Sequence, residues 1–297
     1  MLINSTALDA LRVGFNKNFK DGLGMASPMW DKIATKVPST TKENKYGWLG
    51  KFPGMRQWIG ARVLNSIKEH DYAIKNLPWE ETVAVDRDDI LDDNLGVYAP
   101  LMQSLGEGVA AHPDQLVWGA LAAGFDTECY DGQNFFDTDH PVLDEGGNET
   151  TVSNTGGGSG SPWFLLCTNR PLKPIIYQER KSPDFVAMDD PKSQNVFMNK
   201  EFVYGVDYRG NVGYGFWQMA QGSKQTLNKA GYKAAREAIL GRKGDHGRPL
   251  GLTPNLLVVG PSNEAAALEL LNAERDANGA TNVYKGTAEL LVVPWLD

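Results

Sequence analysis

The sequence has no apolar segment long enough to cross a membrane. A spanning helix needs ~20 consecutive apolar residues, and no run in the 297-residue chain approaches that length. The first residues also lack the basic, apolar and small-residue order of a secretory signal peptide. With 41% hydrophobic and 22% charged residues, the composition is typical of globular proteins rather than disordered ones. We therefore expect a globular protein that is made in the cytoplasm and has no membrane partner.

Cysteine and histidine are both scarce. Cys129 and Cys167 are too few for a disulfide framework or a cysteine-based zinc site, so we expect two free thiols. The four histidines are scattered and form no HExxH or Cys-His spacing: His70, His112, His140 and His246. The chain also has no Walker-type phosphate loop, and GGSGS around Ser159 does not complete a GxSxG nucleophile elbow. The sequence therefore predicts no cofactor, no resident metal and no catalytic residue.

One short cluster has residue types that could carry chemistry, namely Asp137-Thr138-Asp139-His140. Two carboxylates and an imidazole within four residues could bind a divalent metal or act as acid and base, which would indicate a metal-dependent enzyme. The same residues are also typical of a turn in which Asp137 and Asp139 accept hydrogen bonds from nearby backbone N–H groups. No second group of ligands elsewhere in the sequence completes a metal site, so the turn is the favoured interpretation.

Basic residues are not in excess. The net charge of −8 argues against a general nucleic-acid-binding protein, which needs Lys and Arg for phosphate contacts. The charge is nevertheless uneven: residues 1–51 hold eight basic and four acidic residues (+4), and residues 80–93 hold seven acidic residues and Arg87 (−6). Two solvated faces would explain this pattern. The alternative is a basic arm that contacts an acidic region on a neighbouring copy of the chain.

The N-terminal third combines short helical segments with an extended one. Apolar residues with helical spacing predict an amphipathic helix over residues 5–21, capped by Thr6 and Asp9. A second short helical piece is expected after Ser27-Pro28. Alternating apolar residues over residues 46–90 then predict a long β-hairpin with strands around 63–67 and 82–86. Such arms and hairpins are too small to form a core, so their apolar faces need the main domain or another subunit.

The longest predicted element is a helix over residues 92–125, with N-cap candidates at Asp92, Asp93 and Asn94 and a C-cap at Gly124. Proline lacks the N–H needed by the helical hydrogen-bond ladder, so we expect a kink or restart at Pro113, with His112 near a second N-cap. Gly106 and Gly108 form a GxG pair in this helix. The pair lacks the strand-to-helix context of a dinucleotide site.

The second half is typical of mixed α/β structure. Residues 129–162 are rich in Gly, Asn, Ser and Thr and predict a long, locally flexible loop. Residues 163–218 predict strands with a turn at Arg209-Gly210-Asn211. Helices are predicted over 226–240 and 261–273, and each LLVV segment, 256–259 and 290–293, predicts a buried strand.

This order of features resembles the Hong Kong 97-type capsid fold of tailed phages. The local motifs resemble the Mu-like phage major head subunit family over about Phe15 to Leu296: YGWLG with RQWIGAR, LGEGVAAHPDQLVW, GQNFFDTDHPV, RPLKPIIYQER, GYGFWQMA and LLVVPWL. The resemblance implies an α+β chain with four parts: an N-terminal arm (1–45), an extended β-hairpin loop (46–88), a peripheral domain with spine helix and glycine-rich loop (89–220), and an axial α/β domain (221–297). In the usual fold the axial domain precedes the final long strands. Here the strand-rich segment 163–220 comes before the α/β block that ends the sequence, so we expect a permuted strand order.

The resemblance implies a major capsid protein of the virion that self-assembles as pentamers and hexamers into an icosahedral shell. The expected partners are other copies of the chain, a scaffold protein, a portal, a decoration protein where one exists, and packaged double-stranded DNA enclosed without specific binding. The family is structural, so no catalytic, cofactor-binding or metal-binding residue is carried over. Two alternatives remain open: a metal-dependent enzyme centred on Asp137, Asp139 and His140, and another phage structural protein such as a tail tube subunit.

Overall fold

A computed structural model describes residues 4–49, 72–92, 95–275 and 279–297. The predicted strand at 63–67 and two of the helix-cap candidates, Asp93 and Asn94, lie outside the described residues. The helices are α1 (Ser5–Leu23), α2 (Arg87–Leu91), α3 (Tyr98–Ala123), α4 (Gln194–Asn199), α5 (Lys229–Leu240) and α6 (Glu264–Leu271).

The first ten strands are β1 (Ala34–Pro38), β2 (Glu43–Lys45), β3 (Ala73–Lys75), β4 (Leu77–Asp86), β5 (His140–Leu143), β6 (Glu149–Val152), β7 (Thr155–Gly158), β8 (Trp163–Leu166), β9 (Ile175–Met188) and β10 (Glu201–Tyr214). The remaining strands are β11 (Ala220–Lys224), β12 (Lys243–Gly244), β13 (Arg248–Pro249), β14 (Leu256–Val259) and β15 (Glu289–Val292). Among the described residues, no helix is both long and apolar enough to cross a membrane.

The predicted arm helix is confirmed as α1. Its apolar stripe of Leu8, Leu11, Phe15 and Phe19 is 2–8% exposed. The stripe packs against α3 and against β10, so within this chain the arm helix already has an apolar partner. The predicted cap was wrong: the side chain of Asn4 accepts a hydrogen bond from the Ala7 N–H at 2.8 Å. The second helical piece is also shorter than predicted, because after the 3-10 turn Trp30–Lys32 the chain extends into β1, which pairs in parallel with β9.

The spine helix α3 is continuous over 26 residues and passes through Pro113 without a break. It begins at Tyr98, after the 3-10 turn Leu95–Val97, and not at the predicted acidic residues. The predicted N-cap role of His112 was therefore wrong. Its ring instead lies edge-on to Trp79, with centroids 4.7 Å apart, and its Nδ1 hydrogen-bonds the Tyr208 hydroxyl. This contact ties the spine helix to β4 and β10.

The first sheet has the strand order β1-β9-β10-β4. Its two central strands have 14 residues each, and the predicted turn at Arg209–Asn211 was wrong because β10 runs straight through it. The register shifts between Asp207 and Gly210 show a β-bulge there. A Cβ on Gly210 would lie 2.7 Å from the Gln178 carbonyl oxygen, which explains the glycine that suggested a turn.

The predicted β-hairpin is only partly as expected. Strands β2 and β3 pair antiparallel and close the base of the segment between residues 46 and 72. The second predicted arm around 82–86 lies in β4, and the partner of β4 among the described residues is β10. That arm is therefore an edge strand of the first sheet. An edge strand leaves one row of backbone groups available for another chain.

The second sheet has the order β15-β14-β8-β11-β7. The predicted strands 256–259 and 290–293 are confirmed as β14 and β15, the latter shifted by one residue. Part of the predicted loop 129–162 forms the separate β5–β6 hairpin and the strand β7. Strands β7 and β8 both belong to the second sheet. The predicted domain boundary at 220/221 therefore falls inside β11. The chain forms β7 and β8 of this sheet, leaves to form the long β9–β10 hairpin, and then returns with β11, β14 and β15. The buried β8 pairs with β11 on one side and with β14 on the other.

Candidate functional site

A buried polar network surrounds His140 at the start of β5. The imidazole is fully buried and stacks on the Trp217 indole, with ring centroids 3.9 Å apart and planes 9° apart. Its Nδ1 lies 2.8 Å from Asp131 Oδ2, and its Nε2 lies 3.1 Å from Asn154 Oδ1. The ring is therefore fixed on both edges and on one face.

Asp131 lies in a tight loop that also contributes a thiol. Cys129 Sγ is 3.1 Å from Asp131 Oδ1, and the Gln133 N–H donates to the same oxygen at 3.1 Å. A β-bridge between Glu128 and Asn134 closes the loop at its base. The second cysteine, Cys167, is buried elsewhere, and both thiols are free as predicted.

The partners of the Asn154 side chain show which groups in this network face hydrogen-bond acceptors. The side-chain N–H₂ of Asn154 donates to the carbonyl oxygens of Phe135 at 2.7 Å and Trp217 at 3.4 Å, so its Oδ1 faces the imidazole as an acceptor. Both ring nitrogens of His140 consequently face acceptors. Burial by itself would raise the pKa of Asp131, but hydrogen bonds from His140, Cys129 and Gln133 and the charge of His140 lower it overall. Burial raises the pKa of the Cys129 thiol.

The structure separates the residues of the predicted Asp137/Asp139/His140 cluster. Asp137 accepts hydrogen bonds from the backbone N–H groups of Asn134 at 3.1 Å and Thr138 at 2.6 Å. Asp139 is exposed and bonds the Thr138 hydroxyl. His140 points the other way, to Asp131. The turn interpretation is therefore confirmed for Asp137, whereas Asp139 accepts from a side-chain hydroxyl instead of a backbone N–H. The partner of His140 lies nine residues upstream, a spacing with no motif.

Asp131→Asn should make the fold less stable at neutral pH and less sensitive to acid. Because the pKa of Asp131 is lower than the ~3.9 of an unfolded aspartate, its carboxylate stabilises the fold above about pH 4, and this contribution is lost as the pH falls further. We expect a loss of about 1–3 kcal/mol in unfolding free energy at pH 7. Urea denaturation of the wild type and the variant at pH 7 and pH 3 measures this difference in unfolding free energy.

The exposed Asp139 of the same loop is the matched control. Asp139→Asn should change the unfolding free energy by about 0.5 kcal/mol or less, as is usual for surface substitutions. A difference between wild type and Asp131→Asn that is equally large at both pH values would contradict the role assigned to the carboxylate charge.

Four exposed apolar residues lie at the end of the β9–β10 hairpin. Phe197 and Met198 in α4 are 83% and 67% exposed, and Val186 and Met188 at the end of β9 are 52% and 54% exposed. Several exposed apolar residues in one region of the surface indicate a protein-contact site. It lies at the end of β9 and β10, the two longest strands among the described residues.

Charge is also uneven on the surface. Lys17 and Lys20 lie on the exposed side of α1, and Glu80 and Glu81 are consecutive exposed residues of the edge strand β4. None of these four has an ion-pair partner among the described residues. Other basic groups of the arm are paired within the chain, such as Lys36 with Glu179 at 2.8 Å. Part of the predicted basic arm is thus neutralised internally, and part remains available.

Comparison with known sequences gives matches over nearly the whole chain. The family model for the Mu-like prophage major head subunit gpT matches residues 8–296. The Mu-like prophage FluMu major head subunit of Haemophilus influenzae is 49% identical over 294 residues, which cover 96% of each chain. The major capsid protein of Escherichia phage Mu is 41% identical over 305 residues, which cover 100% of each.

Solved structures give matches of the same extent. A subunit in the procapsid of bacteriophage JBD30 superposes with a TM-score of 0.88 at 47% identity, over 99% of this chain and 100% of that one. The JBD30 capsid gives 0.80 at 35% identity, over 100% of both chains. The JBD30 capsid decorated with minor capsid protein trimers gives 0.79 at 36% identity, over 93% of both.

Proposed function

The chain belongs to the Mu-like prophage major head subunit family and is a major capsid protein of a tailed phage, and we propose that it assembles as pentamers and hexamers into an icosahedral shell around the genome. The Hong Kong 97-type capsid fold is confirmed. The protein is a component of the virion capsid. One observation above all supports the proposed assembly, namely the end-to-end match to a subunit of a phage procapsid.

Two exposed features fit repeated contacts between copies. The apolar tip around Phe197 and the edge strand β4 each leave a surface that a neighbouring subunit would cover. We propose that the predicted β-hairpin loop, most of which lies outside the described residues, contacts the next subunit, and that β-strand addition to a sheet edge is the mode of this contact. Interfaces in permanent assemblies commonly bury upwards of ~2,000 Å², which requires several such contacts per subunit.

The four predicted parts of the chain remain a proposal, with one change of boundary. We propose that α3 and the first sheet form the peripheral domain and that the second sheet with α5 and α6 forms the axial domain. On this assignment β7 and β8 belong to the axial domain, although the sequence placed them before residue 220. The axial domain would face the five-fold and six-fold centres.

The partners are inferred from the same relatives and from charge. The JBD30 capsid carries minor capsid protein trimers, and we propose a decoration protein of this kind for the present shell. A scaffold protein and a portal are further proposed partners. The net charge of −8 suits a shell that encloses DNA without binding it tightly. We also infer that the chain has no enzymatic activity, since the family is structural.

Expression of the chain alone and with its neighbouring phage genes tests the proposal. We expect closed shells, or free pentamers and hexamers, by sedimentation velocity and negative-stain microscopy. Open tubes would instead support a tail tube subunit. A folded chain that stays monomeric even in the presence of a scaffold would overturn the proposal.

A further inference from the structure

Three donor atoms of different chemical type converge in the network around His140. Cys129 Sγ, an Asp131 carboxylate oxygen and a His140 ring nitrogen all lie within 4.8 Å of one another. Thiolate, imidazole and carboxylate are the three side-chain ligands that Zn²⁺ uses in proteins. We propose that Cys129, Asp131 and His140 form a structural site for a divalent transition metal, with Zn²⁺ as the expected ion.

The separations are close to those that a tetrahedral ion requires. Zn–S bonds of ~2.3 Å and Zn–N or Zn–O bonds of ~2.0–2.1 Å place the ligand atoms roughly 3.3–3.8 Å apart. In the structure the Cys129 thiol is 3.1 Å from Asp131 Oδ1, and the His140 imidazole is 2.8 Å from the other carboxylate oxygen, Oδ2. Each of these two hydrogen-bonded pairs would therefore have to separate by less than about 1 Å to admit an ion, and the sulfur and the imidazole nitrogen already lie within 4.8 Å of each other.

The surroundings hold each ligand in place. His140 uses Nδ1 toward the site, and its Nε2 is bonded to Asn154 Oδ1, which is the outer-shell arrangement typical of metal-binding histidines. The Trp217 ring fixes the imidazole plane. The closed loop from Glu128 to Asn134 fixes Cys129 and Asp131 relative to each other. Common zinc-binding sequence motifs do not include this set of ligands, because the set contains a single cysteine.

Binding of one divalent ion displaces two protons from the present network. The Cys129 S–H bond breaks, its proton passes to solvent, and the sulfur keeps the electron pair that forms the metal–sulfur bond. His140 likewise releases the Nδ1 proton and coordinates through that nitrogen, while Asp131 coordinates as the carboxylate. The ion and its thiolate and carboxylate together carry no net charge, which suits a buried site. The fourth position is left for water or for the second oxygen of Asp131.

Cobalt substitution of the full chain tests the site. Assembled particles are stripped with a chelator and titrated with Co²⁺ and, separately, with Zn²⁺. We expect one ion per chain, a sulfur-to-cobalt charge-transfer band, and a higher thermal unfolding temperature with Zn²⁺. Cys129→Ser should remove the charge-transfer band and weaken binding at least tenfold. Cys167→Ser is the matched control, because it removes the other buried thiol, and it should keep the band unchanged.

The wild-type titration makes the test independent of whether any variant folds. A wild-type particle that takes up neither ion, with its aromatic circular dichroism intact, would overturn the proposal and leave a hydrogen-bond network only. A charge-transfer band that persists in Cys129→Ser would also overturn it.

Discussion

Gly106→Ala is expected to loosen the packing of the arm helix on the spine helix. A Cβ at Gly106 would lie 2.1 Å from the backbone carbonyl oxygen of Phe19, and a Cβ at Gly22 would lie 2.0 Å from that of Gln103. Two glycines, one on each helix, therefore allow the backbones of α1 and α3 to approach closely. A methyl group cannot fit against backbone, so the helices must separate. Overpacking of this kind costs about 1–3 kcal/mol, occasionally more.

The same helix supplies a control with the opposite sign. Nothing lies within 4 Å of a Cβ built on Gly108, two residues further along α3. Gly108→Ala should therefore stabilise the chain by about 0.5–1 kcal/mol, because alanine loses less backbone entropy in a helix. Urea denaturation of the unassembled chain measures both variants. Equal effects of the two substitutions would show that the close helix crossing does not limit stability.

These glycines illustrate what local sequence can and cannot predict. The apolar spacing of α1 was sufficient to predict its helix and its buried stripe, because both depend on residues three and four apart. The partner of that stripe could not be predicted, since it depends on contacts more than 80 residues away along the chain. Gly106 and Gly108 looked alike in the sequence. Only the crossing of α1 distinguishes them.

The same limit applies to β10 and to the polar network. Gly210 is a turn signal by local rules, yet its role is to let β9 approach closely at a bulge. His140 was recognised as chemically capable, but its sequence neighbours Asp137 and Asp139 were the wrong partners. Asp131 and Cys129 were missed because they lie in a tight loop closed by the bridge between Glu128 and Asn134, and no short motif records how that loop packs against His140.

The double charge reversal Lys17→Glu with Lys20→Glu should reduce the yield of closed particles at least tenfold. Both lysines are exposed and lack an ion-pair partner within the described chain, so their reversal should leave the fold intact. We propose that they contact the exposed Glu80 and Glu81 of the edge strand on a neighbouring subunit. Like charges at that contact would repel, and each such contact is repeated in every subunit of the shell. Sedimentation velocity of the expressed variant measures the yield.

A charge swap distinguishes the loss of this contact from a general effect of the added negative charge. Glu80→Lys with Glu81→Lys in the reversed background should restore particles, because the opposite charges again face each other. Lys17→Arg with Lys20→Arg keeps the charge and should assemble normally. Exposed ion pairs are screened by salt, so the defect of the reversed variant should diminish at high ionic strength. Normal particle yield from the reversed variant would refute the contact. Failure of the swap to rescue assembly would assign the lysines to an acidic surface other than β4.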